Sequence, residues 1–186
     1  MSGPSGCGKG TICKALINRL PVEVSISATT REPRGKEVDG VNYFFKSHEE
    51  FNEMIENDML LEYAEFCGNK YGTPKQYVSD KLKKGKDVLL EIEVCGALQV
   101  KEKFPEAVLV FLMPPSMEEL RRRIDGRKTE TKEVIEVRMK KASDEVKMIN
   151  KYDYVVVNDK LNTAVEEVIA IIRAEHLKAN RANTID

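Results

Sequence analysis

GPSGCGKGT, residues 3–11, is the stretch on which the fold prediction depends most. It matches the pattern Gly-x-x-x-x-Gly-Lys through Gly3, Gly8 and Lys9. Glycines let the main chain wrap around a phosphate with its N–H groups pointing inward, and a following helix presents its N-terminus to the anion. The segment TICKALINRL at 11–20 can form that helix. The pattern predicts a phosphate loop, and the alternative is a glycine-rich turn beside a surface lysine.

The loop departs from the usual pattern in two ways. Gly10 stands where a Ser or Thr ligand of Mg²⁺ is expected, and the hydroxyl comes one residue later, on Thr11. This is tolerable because Mg²⁺ keeps several waters and often binds through substrate phosphates. A phosphate loop also follows a strand, whereas only Met1 and Ser2 precede this one. We expect the strand either to come from residues upstream of Met1 or to be missing.

Short apolar runs alternate with helical patterns along the rest of the chain. Apolar runs that are nearly continuous are typical of strands buried on both faces of a parallel sheet. Capping boxes at Ser47–Glu50 and Ser116–Glu119 predict helix starts, and residues 161–172 repeat with a helical period. The alternation predicts an α/β fold with a mostly parallel sheet. The predicted strands are 22–27, 88–93, 107–113 and 154–157.

Composition bounds the protein class. A length of 186 residues with 41% hydrophobic residues predicts one domain with a full core. The 30 basic and 31 acidic residues give a net charge of −1, which argues against a nucleic-acid partner held by bulk charge. No apolar run approaches the roughly 18–20 residues of a membrane span, so no membrane partner is expected. Four scattered cysteines, without a CxxC pair or a signal peptide, predict a cytoplasmic protein.

Two stretches interrupt the alternation and look like excursions from the sheet rather than more sheet. Residues 31–79 are rich in turn residues and contain a predicted helix at 47–58, and residues 121–147 carry a dense set of basic side chains, typical of a lid. Arg31 and Arg34, followed by Tyr43, suit a phosphate dianion because guanidinium groups bind phosphate in bidentate fashion. The alternative is a solvated charged loop.

Several ordered motifs together resemble the guanylate kinases, which are P-loop nucleoside monophosphate kinases. The resemblance covers nearly the whole chain and adds five segments to the phosphate loop. These segments are SATTREPR at 27–34, GNKYGT at 68–73, PPS at 114–116, RKTE at 127–130 and VVND at 156–159.

The resemblance implies a role for each matching residue. The phosphate of GMP would be bound by Arg31, Arg34, Tyr43 and Tyr71, and the guanine by Glu62 and Thr73, with Ser27 and Glu93 close by. ATP would be bound by Gly3, Pro4, Ser5, Gly6, Cys7, Gly8, Lys9, Gly10, Thr11 and Asn158. The catalytic cations would be Lys9, Arg34, Arg127 and Arg138. Mg²⁺ would arrive with ATP, held mainly by phosphates and water rather than by protein ligands.

Hydrogen-bonding chemistry agrees with the role of Glu62. Guanine presents two donors on one edge, N1–H and an exocyclic amine, and a carboxylate accepts from both. Adenine has an acceptor at N1 and is rejected, because a site that requires a hydrogen bond discriminates by about 10⁴-fold. Three positions depart from the family: Lys128 replaces a lid glycine, and Glu91 and Glu93 stand where Asp is commoner.

The resemblance implies one guanylate kinase-like domain over 1–186. Its three-layer, parallel-sheet core would comprise 1–30, 80–120 and 143–186, with a GMP-binding insert at 31–79 and a lid at 121–142. The expected activity is transfer of the γ-phosphoryl group of ATP to GMP, giving GDP and ADP. Two alternatives stay open: a non-catalytic interaction module of the same fold, and a kinase for another base. A homo-oligomer also stays open.

Overall fold

The computed structural model describes residues 1–66, 68–126, 131–179 and 181. These residues divide into two compact units. The first unit contains 1–2 and 21–109, and the second contains 3–20 and the chain from 110 onward. Each unit has its own strands and helices.

The first unit contains a parallel strand pair. Strand β1 (Val22–Val24) pairs with β6 (Asp87–Leu89), with Val22 opposite Asp87. Both strands were predicted, but they end at Val24 and Leu89, short of 27 and 93. Beyond β6, the Met1 amino group donates to the Leu90 carbonyl at 2.8 Å, and the Ile92 N–H donates to the Met1 carbonyl at 3.3 Å. Met1 therefore bonds to the 90–92 segment as a parallel neighbour does.

A second sheet in this unit has the strand order β3-β2-β5-β4. Its strands are β2 (Ala28–Thr29), β3 (Phe44–Phe45), β4 (Leu60–Phe66) and β5 (Asn69–Pro74). The β2–β3 pair is parallel, and β5 pairs antiparallel with β2 and with β4. Residues 31–79 therefore contribute β3, β4 and β5 to a sheet that is separate from the β1–β6 pair, so they do not extend the parallel sheet. Their strands are short and lack the long apolar runs of buried parallel strands, although Leu60 and Leu61 are buried.

Helix α2 (His48–Glu56) starts as predicted. The Ser47 hydroxyl accepts from the Glu50 N–H at 3.1 Å, and the Glu50 carboxylate accepts from the Ser47 N–H at 2.7 Å. This reciprocal pair satisfies two backbone donors at the helix start. Phe51 is fully buried against Ala28 and Leu60, which fixes α2 on the second sheet. Burial of one such side chain contributes roughly 1.5–3 kcal/mol.

Two more helices complete the first unit. Helix α3 (Lys75–Leu82) follows β5 directly, and helix α4 (Val94–Lys103) follows the 90–92 segment. Helix α4 packs against β4, with Ala97 and Val100 buried. It therefore lies beside the strand that carries Glu62.

The second unit holds the phosphate loop and another parallel pair, β7 (Val110–Met113) with β8 (Tyr154–Val157). Both strands confirm predicted segments. Phe111 and Leu112 are fully buried. The helices are α1 (Lys9–Ile17), α5 (Met117–Asp125), α6 (Lys132–Val146) and α7 (Leu161–His176). The predicted α/β class, with parallel strand pairs, is confirmed.

Helix α5 begins at the second predicted cap. The Ser116 hydroxyl accepts from the Glu119 N–H at 3.1 Å. The Glu119 carboxylate binds Arg122 and Arg123, at 2.6 and 2.7 Å, and these two bonds lower its pKa to about 2. Within the described residues, no helix is both long and apolar enough to cross a membrane.

Candidate active site

The backbone of the phosphate loop depends on glycine. Gly8, immediately before α1, has φ of +98°, and Gly6 has φ of +95°. A side chain at Gly8 would collide with the Asn158 amide nitrogen. L-residues rarely adopt a positive φ. At Gly8 a larger residue is therefore excluded both by the backbone angle and by the lack of space. Helix α1 then begins at Lys9, two residues before the predicted segment 11–20, and ends at Ile17.

Lys9 turns back across its own loop. Its ammonium donates to the Gly3 carbonyl at 2.7 Å and to the Pro4 carbonyl at 3.3 Å. The positive charge therefore lies over the loop, where the motif predicts phosphate. Thr11, which carries the displaced hydroxyl, is exposed in the first turn of α1, and Gly10 is half-buried beside it.

Arg138 of α6 is brought to the same loop. One of its terminal nitrogens donates to the Ser5 hydroxyl at 2.6 Å, although 133 residues separate the two in sequence. The Arg138 side chain is buried, which is unusual for a cation and indicates a fixed position. The other predicted lid cation, Arg127, lies outside the described residues.

Asn158, directly after β8, also binds the loop. Its side-chain amide donates to the Cys7 carbonyl at 2.8 Å, and its own carbonyl accepts from Arg123 at 3.0 Å. Arg123 also binds Glu119. Arg123 therefore holds the residue that contacts the loop. Asn158 thus contacts the loop that is predicted to bind ATP.

A separate cluster forms around Arg31 in the first unit. The Arg31 guanidinium donates to both carboxylate oxygens of Glu37 at 3.0 Å and to the Glu32 carbonyl at 2.6 Å. It lies over the Tyr43 ring, with 5.4 Å between the guanidinium carbon and the ring centroid. The ring of Tyr71 meets that of Tyr43 edge-on, with centroids 6.2 Å apart. Three of the four predicted GMP-phosphate ligands therefore lie together.

The fourth predicted ligand, Arg34, joins the cluster through its backbone. Its N–H donates to Glu37 at 2.7 Å, while its side chain is exposed. The bond from the Arg34 N–H is the main reason that the pKa of Glu37 is lowered, and the bonds from Arg31 add to it. Burial, above all, raises the pKa of Tyr43.

Glu37 is the residue of this cluster that sequence reasoning missed. Its carboxylate joins the side chain of Arg31 to the backbone of Arg34. The available signal was an acid three residues after Arg34 and six after Arg31, within a turn-rich segment that has to hold two guanidinium groups. Such spacing is common in surface loops, so it carried little weight by itself.

The predicted base-recognition pair is also brought together. The Thr73 hydroxyl donates to Glu62 at 2.7 Å, and only 3% of Glu62 is exposed. Burial raises the pKa of Glu62 to about 7, the Thr73 bonds oppose that rise, and the nearby charge of Glu93 adds to it. Glu93 is the N-cap residue of α4. Ser27 lies at the start of β2, where its carbonyl accepts from the Phe44 N–H at 2.9 Å.

Comparisons with known proteins show the family of the chain. The family model described as guanylate kinase matches residues 1–175. The chain is 59% identical to a guanylate kinase of Halalkalibacterium halodurans, over 97% of this chain and 89% of that one. It is 57% identical to one of Caldanaerobacter subterraneus, over 97% and 88%.

Solved structures give the same result. The crystal structure of guanylate kinase from Anaplasma phagocytophilum matches with a TM-score of 0.80 and 36% identity, over 97% of this chain and 86% of that one. A family match over most of the chain, with relatives this similar over nearly their full length, leaves one assignment. The chain belongs to the guanylate kinase family.

Proposed function

We propose that the chain transfers the γ-phosphoryl group of ATP to GMP and releases ADP and GDP. The observation that carries this proposal is the buried Glu62–Thr73 pair on the same small sheet as the Arg31 cluster. One group suits a guanine edge and the other suits a phosphate. Family membership supports the same activity.

In this proposal the phosphate of GMP binds beside Arg31. One terminal nitrogen of the guanidinium already donates to both oxygens of Glu37, and the Tyr43 hydroxyl can donate next to it. A phosphate dianion offers the same kind of acceptor with more charge. Arg34, whose side chain is exposed, can turn toward the bound phosphate, and Tyr71 completes the set.

The guanine binds at Glu62 in its ionised form. The Thr73 hydroxyl holds one carboxylate oxygen, which fixes the plane of the group. Guanine N1–H and the exocyclic amine then donate to the carboxylate, and Ser27 and Glu93 lie nearby in the proposed site. Adenine would place a lone pair against the same oxygens, so the site selects guanine.

ATP binds through the loop of residues 3–11 and Asn158. The backbone N–H groups surround the β- and γ-phosphates, and Lys9 leaves the Gly3 and Pro4 carbonyls to bind them. The loop offers Ser5 and Thr11 hydroxyls and no carboxylate. We therefore place Mg²⁺ on the ATP phosphates and water, where it neutralises charge between the β- and γ-groups.

The reaction needs positioning more than covalent help. An oxygen of the GMP phosphate attacks the γ-phosphorus, a new P–O bond forms, and the bond to the bridging β–γ oxygen breaks to leave ADP. The charge spread over the moving group is offset by Lys9, Arg34, Arg127 and Arg138. No general base is required, because the attacking phosphate is already an anion.

Closure of the 31–79 insert and the 121–142 lid over the substrates would exclude water and prevent hydrolysis of ATP. The core would be 1–30, 80–120 and 143–186. We propose a cytoplasmic protein with GMP and ATP as its partners and no nucleic acid or membrane partner. Self-association is left open.

A coupled assay of ADP formation with GMP, AMP, CMP and UMP tests the proposal. We expect turnover with GMP and Mg²⁺-ATP, and far slower turnover with the other three nucleotides. GMP binding without turnover on any nucleotide would favour the interaction module. A preference for AMP would refute the assignment of Glu62 to guanine.

A further inference from the structure

We propose that Gly96 and Gln99, three residues apart on α4, are positioning residues that hold the Glu62 carboxylate in place for base selection. The inference rests on the proposed guanine site. It concerns residues that do not touch the base themselves. Its basis is the way in which one face of α4 meets the strand that carries Glu62.

Glu62 lies in an irregular part of β4. Leu60 pairs with Pro74 and Tyr63 pairs with Gly72, so the register shifts by one residue between them. Leu60, Leu61 and Glu62 are all buried, which breaks the alternation of a regular strand. A bulge of this kind bends the strand and redirects a side chain. The bulge therefore accounts for a carboxylate aimed inward between apolar neighbours.

Gln99 bonds to the backbone immediately after the bulge. Its side-chain carbonyl accepts from the Tyr63 N–H at 3.2 Å, and its side-chain amide donates to the Tyr63 carbonyl at 2.8 Å. Because β4 is an end strand of its sheet, these groups face away from β5. Gln99 supplies the two hydrogen bonds that a further strand would supply. Gln99 thus fixes the position of the β4 backbone one residue from Glu62.

Gly96 meets the carboxylate itself. A methyl group on Gly96 would lie 2.9 Å from the Glu62 carboxyl carbon and 3.3 Å from the preceding methylene, and closer still to one oxygen. Gly96 has an ordinary helical backbone within the first turn of α4, so its backbone angles do not require glycine there. Glycine is required because a side chain would occupy the space of the Glu62 carboxylate.

These contacts define a specific role. Gly96 leaves room on one side of Glu62, Thr73 holds one oxygen, and Gln99 holds the neighbouring backbone. A shift of the carboxylate by a few tenths of an ångström would spoil one of the two hydrogen bonds to guanine. The bond to the exocyclic amine is the one that distinguishes GMP from IMP, because hypoxanthine lacks that amine.

The test compares dissociation constants for GMP and IMP, measured by calorimetry without ATP. Gln99→Met keeps the side-chain length but removes both bonds, and Gly96→Ala adds the obstructing methyl. Gln76→Ala is the matched control, because the Gln76 amide binds Asp80 within α3. The wild-type protein should prefer GMP by about tenfold or more, the contribution of one hydrogen bond to a charged acceptor.

We expect either variant to lower that preference by about fivefold, mainly through weaker GMP binding, while the control keeps it. Melting temperature and ATP affinity should change little, since alanine favours the helix more than glycine does. Folded variants with an unchanged preference would overturn the inference, and so would unfolding of both variants, which would make the face merely structural. A wild-type protein that binds GMP without transferring phosphate would refute only the proposed activity.

Discussion

The phosphate loop and the Arg31 cluster are held together by opposite means. In the loop, backbone groups make the proposed site; Asn158 binds the Cys7 carbonyl, and Arg138 binds the Ser5 hydroxyl. In the Arg31 cluster, side chains make the site, and an acid, Glu37, holds them before any ligand arrives. The loop therefore presents donors of fixed geometry, whereas the cluster presents charges that are already paired.

This difference suggests that the two sites have different requirements for ligand binding. In the proposed function, the donor site is built from backbone and Lys9 would turn from the Gly3 and Pro4 carbonyls to the phosphates of ATP. The proposed acceptor site is built from paired side chains and would exchange Glu37 for phosphate, so it would combine binding with rearrangement. The buried Glu62 would add a second condition, since its carboxylate would have to be ionised before guanine could bind.

The largest effect should follow the loss of the Lys9 charge from the loop. Lys9→Ala should lower kcat by roughly 1000-fold or more, because a charge that faces the transferring phosphoryl group is lost. GMP affinity, measured by calorimetry, should stay near the wild-type value. Lys14→Ala, which removes an exposed lysine from the last turn of α1, should have little effect on either quantity.

Loss of GMP binding in Lys9→Ala would contradict the assignment of Lys9 to ATP.

The next effect concerns pH at the acceptor site. The raised pKa of Glu62, about 7, means that GMP binding has to displace a proton below that pH. The dissociation constant for GMP should rise about tenfold for each pH unit below 7 and level off above it. The pKa of this carboxyl also depends on three neighbouring residues, Thr73, Glu93 and Lys103.

Glu62→Gln is the control for that profile, because the GMP phosphate itself titrates near pH 6. The variant should bind GMP weakly and retain only the pH dependence that comes from the GMP phosphate.

In the ligand-free protein, stability should depend on pH in the opposite direction to GMP binding. The folded state holds the Glu62 proton longer than the unfolded state, so the free energy of unfolding should fall as pH rises from 4.5 to about 7, by on the order of 3 kcal/mol. A profile shared by wild type and variant would contradict the assignment.

The smallest effect separates backbone strain from a lost contact. Gly8→Ala and Gly85→Ala each place alanine at positive φ, +98° and +69°, which costs about 1–2 kcal/mol. Only Gly8 faces another group, the Asn158 amide, whereas nothing lies within 4 Å of a methyl at Gly85. Thermal unfolding should therefore show a further loss of about 1 kcal/mol for Gly8→Ala. Equal losses would show that Asn158 does not brace the loop.

The two regions also differ in how far sequence predicts them. The loop is contiguous, and Gly3, Gly6 and Gly8 each have a positive φ, so the motif alone locates it. The Ser47 capping box was predictable for the same reason, since both of its bonds span three residues. Such features depend on neighbours in the chain, and their physics is local.

The acceptor region depends on pairings that local patterns do not reveal. Its strands are two to seven residues long, so the turn-rich segment at 31–79 holds no long apolar run that would predict them. Pairing of Glu62 with Thr73 was inferred through the family resemblance. The shift in register at Leu60–Tyr63, the Glu37 bridge and the Gln99 bonds arise only when distant segments meet.

A crystal structure with GMP tests the central claim most directly. The account predicts phosphate oxygens within about 2.7–3.2 Å of Arg31 and Tyr43, the Arg34 side chain turned toward them, and guanine N1 and its amine on Glu62. GMP held at any other place, or guanine turned away from Glu62 with the phosphate on different cations, would contradict it.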